Sequence, residues 1–145
     1  MPHPYFSDAA LPRVLAHRGL VTPEDEARGI AENSRQTVAA AVRAGALYVE
    51  SDCHLTLDGV VVLFHDADLK RVTGDPRAIA EVSYSELAEL MSRRGGLLTL
   101  REALEEFPET RFNFDAKADA VAEPAGEIIG EHCKRVLLTS FSDSR

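Results

Sequence analysis

Three carboxylates, Glu50, Asp52 and Asp115, and two histidines, His17 and His65, stand at or near the ends of runs that read as buried strands. Glu50, Asp52 and His54 alternate along one run and therefore share one strand face. Three negative charges converging on one rim repel, and one must take a proton unless a cation sits between them. Ligands that are all oxygen select a hard ion, Ca²⁺ or Mg²⁺ (or Mn²⁺), over zinc. Lys117, two residues past Asp115 on the same face, is a point charge suited to a phosphate oxygen. Arg18 can clamp a phosphate with two hydrogen bonds. His17 and His65 end different apolar runs, and imidazoles titrating near pH 6.5 are the natural proton donor and acceptor at neutral pH. Metal, cationic phosphate ligands and two imidazoles together describe phosphodiester hydrolysis. His54 lies further along the metal face, where it lines the pocket or bonds to a loop. Asp66 is expected to brace a turn, and Cys53 to face the core.

These residues need a scaffold that gathers strand ends. The spacing predicts strands over 13–16, 47–52, 60–64, 111–117 and 135–140, with Asp58-Gly59 marking a turn between the second and third. The run 60–64 is apolar throughout, as in a strand covered on both faces. Asn33 with Gln36 is a capping pair opening a helix that Gly45 closes, and the acidic stretch 20–31 before it reads as a loop. Capping boxes at Ser83–Glu86 and Thr99–Glu102 open two more helices. The stretch 70–82 is an excursion outside the repeating unit. A last helix falls within 123–133, with Pro124 fitting only its first turn. Strands alternating with helices predict a parallel α/β sheet with its site at the C-terminal strand ends.

The chain has 145 residues and a formal net charge of −8, which disfavours nucleic acid as a partner because phosphate binding needs a basic face. No stretch approaches the roughly 20 apolar residues of a membrane span, and residues 1–8 do not resemble a signal peptide. Cys53 and Cys133 have no zinc or disulfide spacing. A cytoplasmic location is the expectation.

The pattern resembles the glycerophosphodiester phosphodiesterase family. The residues that carry the likeness are His17-Arg18-Gly19, Glu32-Asn33-Ser34, Glu50-Ser51-Asp52-Cys53-His54, Phe64-His65-Asp66 and Leu69-Lys70-Arg71-Val72-Thr73. Asn113-Phe114-Asp115-Ala116-Lys117 and Thr139-Ser140-Phe141 continue it. The resemblance implies a TIM-type (β/α)8 barrel and metal-dependent hydrolysis of a small-molecule glycerophosphodiester to glycerol 3-phosphate and an alcohol. It implies His17 and His65 as the acid/base pair, Glu50, Asp52 and Asp115 around the metal, Arg18 and Lys117 on the phosphate, and Glu32 lining the site. Asp115 stands where the family usually has Glu, and the loop 19–32 is longer and more acidic than usual.

An eight-stranded barrel takes about 250 residues. With about five strands, residues 1–145 read as the N-terminal portion of a single barrel domain, inactive alone, with sheet edges open to self-association. A lysophospholipase D or sphingomyelinase D-like diesterase, and a non-catalytic metal- or phosphate-binding half-barrel, are the alternatives.

Overall fold

A computed structural model describes residues 15–140. Five strands, β1 (Leu15–His17), β2 (Tyr48–Leu55), β3 (Val61–Leu63), β4 (Arg111–Ala116) and β5 (Val136–Ser140), form one sheet. The wall runs β1-β2-β4-β5 and every pairing along it is parallel. Helices make the crossovers: α1 (Pro23–Ala27) and α2 (Arg35–Arg43) lead from β1 to β2, and α3 (Lys70–Thr73), α4 (Tyr84–Met91) and α5 (Leu100–Glu106) precede β4. Helix α6 (Asp119–Ile129) leads from β4 to β5. Arg13, Val14 and Phe141 lie outside the described residues.

β3 does not join the parallel wall. A parallel return needs a crossover of about a dozen residues, and the link from β2 turns on Asp58-Gly59, with Gly59 at φ +79°. β3 therefore folds back antiparallel onto the outer half of β2, Cys53 opposite Leu63 and Leu55 opposite Val61. This pairing carries β2 three residues past the expected end at Asp52, and leaves four parallel strands in the wall.

The sheet has one apolar and one polar face. Val49, Cys53, Phe112 and Phe114 are buried against α2, α5 and α6 in the main core, so Cys53 is a core residue. Phe112 and Phe114, two apart on β4, stack with ring centroids 4.9 Å apart. Burying each contributes roughly 1.5–3 kcal/mol. Alternation turns Glu50, Asp52, Asn113 and Asp115 to the other face, where a barrel has its interior. β3 is buried on both sides as expected, Val61 and Leu63 in the main core and Val62 in a second. That second core joins Ile79 and Val82 of the excursion to Leu69, to Leu87 and Met91 of α4, and to β3.

Three local expectations change. The stretch 20–31 contains α1, because Thr22 and Asp25 form a capping box and Pro23 occupies the first turn. The N-cap of α2 is Ser34, whose hydroxyl accepts from Thr37 N–H, while Asn33 adopts φ +61° and belongs to the site. Helix α6 starts at Asp119, which leaves Pro124 in its interior. Burial of Val121, Ala125 and Ile129 along one stripe outweighs the backbone bond that proline forfeits. The boxes at Ser83–Glu86 and Thr99–Glu102 form as expected, and Gly45, at φ +93°, follows the end of α2. Among the described residues no helix is long and apolar enough to cross a membrane.

Candidate active site

Register aligns the chemistry into two rungs. His17, Glu50 and Asn113 sit side by side on β1, β2 and β4, and Asp52, Asp115 and Thr139 form the next rung across β2, β4 and β5. Lys117 follows β4 directly, its N–H bonded to the Cys53 carbonyl at 3.0 Å. The sequence thus places polar residues where parallel neighbours stand about 4.8 Å apart, and the strand pairing converts spacing into a cluster.

Asp52, 1% exposed, is the hub. Its Oδ2 accepts from Asn33 Nδ2 at 3.1 Å and lies 3.2 Å from Arg18 Nε. Its Oδ1 is 3.4 Å from Lys117 Nζ, which also stands 2.7 Å from Asp115 Oδ2. His17 Nε2, on an exposed side chain, is 3.2 Å from Glu50 Oε2. Arg18 Nη1 donates to Glu32 Oε2 at 2.9 Å, and Arg71 Nη2 donates to Glu32 Oε1. Arg71 also bonds Asp66, which accepts from His65 Nδ1 at 2.7 Å. His54 is buried outside this network and holds the end of β3, its Nε2–H donating to the His65 carbonyl at 3.0 Å. Beside Glu32 and Arg71 opens a cavity of about 510 Å³, also lined by Val21, Ile30, Val72 and Arg94.

The electrostatics follow from these partners. Burial, with the Asp52 charge next, raises the Glu50 pKa and outweighs the opposing pull of His17, Arg18 and Lys117. Burial opposes ionisation of Glu32, but hydrogen bonds from Arg18 and Arg71 win and lower its pKa. Burial works against the Lys117 charge and is outweighed by Asp115 and Asp52, so the ammonium is held above its ordinary value. Burial lowers the His54 pKa. Hydrogen bonds from Arg71 bring Asp66 down to about 2.

Among the described residues no group of three or more His, Cys, Asp or Glu is arranged to hold a metal ion. Two carboxylates as close as Asp52 and Asp115 need a counter-charge, and the Lys117 ammonium provides it. Yet Asp115 Oδ1 and Asn113 Oδ1 are buried oxygens without a hydrogen-bond donor, and Glu50 Oε2 faces the His17 imidazole without forming a hydrogen bond to it. Buried acceptors left unpaired are costly, and an all-oxygen set of this kind suits a hard cation. The donor set is thus of the right chemistry for such an ion, while in this arrangement the Lys117 ammonium stands between Asp52 and Asp115.

Asn33 was legible only as a helix cap, and its real partners are Asp52 and Ser51, whose hydroxyl donates to Asn33 Oδ1 at 2.7 Å. Arg71 gave no chemical signal of its own beyond the resemblance. Asp66 does more than brace a turn, since it accepts from His65.

A four-strand parallel wall that gathers carboxylates, imidazoles and cationic side chains at its strand ends defines part of a (β/α) barrel enzyme site. Comparison with known proteins supplies the family. The model of the glycerophosphoryl diester phosphodiesterase family matches residues 17–145. Rat lysophospholipase D GDPD1 is 31% identical, across 92% of this chain and 46% of its own length. The Mycobacterium tuberculosis protein named probable glycerophosphodiester phosphodiesterase 2 is 32% identical, across 90% of this chain and 49% of its own. The crystal structure of the Thermotoga maritima glycerophosphodiester phosphodiesterase superposes with a TM-score of 0.76 at 35% identity, covering 90% of this chain and 54% of that one. An Oleispira antarctica phosphodiesterase, in complex with its product sn-glycerol-3-phosphate, superposes at 0.70 with 26% identity, covering 91% of this chain and 58% of that one. The chain belongs to the glycerophosphodiester phosphodiesterase family. It spans about half the length of the relatives it matches.

Proposed function

We propose that the protein hydrolyses glycerophosphodiesters to glycerol 3-phosphate and an alcohol, with His17 and His65 as its acid/base pair. The observation that carries this reading is one connected charge network. It ties an imidazole on Asp66 to Arg18 and Lys117 through shared carboxylates, beside a second imidazole on Glu50. Arg18 and Lys117 neutralise the phosphoryl oxygens and stabilise the charge that grows on them in the transition state. One imidazole takes a proton from the nucleophile, water or the neighbouring glycerol hydroxyl, as its oxygen attacks phosphorus; with the hydroxyl the first product is a cyclic phosphate, which a water then opens to glycerol 3-phosphate. The bond from phosphorus to the alcohol oxygen breaks, and the other imidazole protonates the departing alkoxide. Glu32 holds Arg18 in place for this. Glu50, Asp52 and Asp115 would hold Ca²⁺, Mg²⁺ or Mn²⁺, which when bound adds Lewis-acid neutralisation of the phosphoryl group. The buried oxygens on Glu50 and Asp115 that no hydrogen bond satisfies support that assignment.

A closed barrel takes eight parallel strands, so we assign turnover to the full-length protein and none to these 145 residues alone. The test is incubation of the full-length protein with glycerophosphocholine or glycerophosphoethanolamine, with and without EDTA, following glycerol 3-phosphate. Release that EDTA abolishes is expected, and no metal-dependent release from either substrate refutes the reading. The name of the rat relative favours a second reading, cleavage of lysophospholipids. Faster turnover of lysophosphatidylcholine than of glycerophosphocholine would establish it.

A further inference from the structure

Within the charge network described above, Asp66 and Arg71 have no part of their own in the reaction steps. Asp66 Oδ1 accepts from His65 Nδ1 at 2.7 Å. Arg71 grips the same carboxylate twice, Nε to Oδ2 at 2.8 Å and Nη2 to Oδ1 at 3.1 Å. Its Nη2 also donates to Glu32 Oε1, and the other oxygen of Glu32 accepts from Arg18 Nη1 at 2.9 Å. Glu32 comes from the connection between β1 and α2, His65 and Asp66 follow β3, and Arg71 lies on α3, in the excursion. Both carboxylates are only 20% exposed.

We propose that Asp66 and Arg71 are positioning residues that, with Glu32, lock the acid/base imidazole of His65 and the phosphate-binding guanidinium of Arg18 into one rigid unit. This rests on the diesterase reading above. An ionised Asp66 can only accept a hydrogen bond. His65 is thereby held with its proton on Nδ1 and its Nε2 turned to the proton transfer, as a carboxylate fixes the tautomer in other acid/base sites. Arg71 keeps Asp66 ionised and fixed. Its planar fork reaches two carboxylates from two different loops, which the single point charge of a lysine cannot reproduce. The excursion is thus tied to the chemistry through one residue.

The full-length protein tests this through kcat and KM for release of glycerol 3-phosphate from glycerophosphoethanolamine. Asp66→Asn is expected to lower kcat by about 10²-fold or more, the range of one general acid/base, with KM within about threefold of wild type. On a His65→Ala background the same change should cost less than about twofold further, because Asp66 acts through His65. Arg71→Ala is expected to lower kcat and raise KM together, since both arms of the bridge slacken, and Arg71→Lys to restore neither. The proposal is overturned if Asp66→Asn keeps kcat within about twofold of wild type, or repeats its full loss on top of His65→Ala. It is also overturned if Arg71→Ala leaves both constants unchanged. A separate readout does not depend on turnover: ¹⁵N chemical shifts of His65 should report the Nδ1–H tautomer in wild type and a mixture in Asp66→Asn. A mixture already in wild type defeats the proposal, whereas a pure tautomer in a protein without diesterase activity defeats only the reading on which it rests.

Discussion

The two imidazoles have different surroundings, and this decides what each substitution should do. His65 is one-third exposed and bonded to Asp66, while His17 is 65% exposed and stands beside Glu50. In the full-length protein, His17→Ala and His65→Ala are each expected to lower kcat by about 10²–10⁴-fold. Full activity in either variant would remove that residue from the acid/base pair. Asp66 also leaves a signature in stability. Its pKa falls from 3.8 to about 2 on folding, chiefly through Arg71. Its contribution is thus present above pH 3.8 and is lost as the pH drops through about 2. Urea midpoints measured across that window should fall more steeply for wild type than for Asp66→Asn, the other carboxylates titrating alike in both. Parallel pH profiles would show that the ion pair with Arg71 contributes nothing to folding.

At the scale of elements, what was legible in the sequence was what is decided locally. The boxes at Ser83–Glu86 and Thr99–Glu102 carry their own instructions within four residues, and both form. The strand positions followed from apolar runs, and the polar residues at their ends followed with them. Asn33 misled because two capping pairs overlap, Asn33–Gln36 and Ser34–Thr37. The choice between them is made by Ser51 and Asp52, 18 and 19 residues away. The direction of β3 is not written in its apolar run, whose composition suits a wall strand and a hairpin arm alike, but in the short Asp58-Gly59 link before it, which leaves no room for a crossover. The partner of Arg71 across 39 residues had no local signal at all. The N-terminus of α2 shows how such long-range choices are enforced. Arg35 N–H and Gln36 N–H donate to the carbonyls of Gly96 and Gly95 at 2.9 and 3.0 Å. Gly95 has φ +103°, and a Cβ there would lie 2.3 Å from Ser34 Oγ. Gly95→Ala is expected to destabilise the protein by about 2 kcal/mol or more, combining left-handed backbone cost with a displaced cap. Because Asn33 adjoins that cap, kcat should fall with it. Unchanged urea unfolding would mean the loop yields without moving Ser34.

The whole molecule, as these residues build it, is a wall that has two ends. Among the described residues β1 pairs with β2 alone and β5 with β4 alone, so within them each leaves one side of its backbone without a strand partner. The face that a closed barrel would enclose carries Glu50, Asp52, Asn113 and Asp115 rather than apolar side chains, so it does not drive association on its own account. The β1 end differs. An apolar hollow of about 400 Å³ lined by Ala16, Leu20, Ala41 and Ala44 opens beside it, and Leu20 and Leu47 are exposed at 40% and 42%. Exposed strand edges recruit further strands, and an apolar hollow next to an edge strengthens that tendency. The 145-residue chain by itself is therefore expected to self-associate at micromolar concentration and to show no diesterase turnover. A protein whose wall continues past these edges, as in an eight-stranded barrel, should not associate through them. Light scattering and the glycerol 3-phosphate assay on the two chains in parallel decide the matter. A monomeric 145-residue chain would mean that the short β1 edge is too brief to template a partner. A turning-over one would mean that the two rungs across β1, β2, β4 and β5, with the Arg71 bridge behind them, suffice for catalysis without the rest of a barrel.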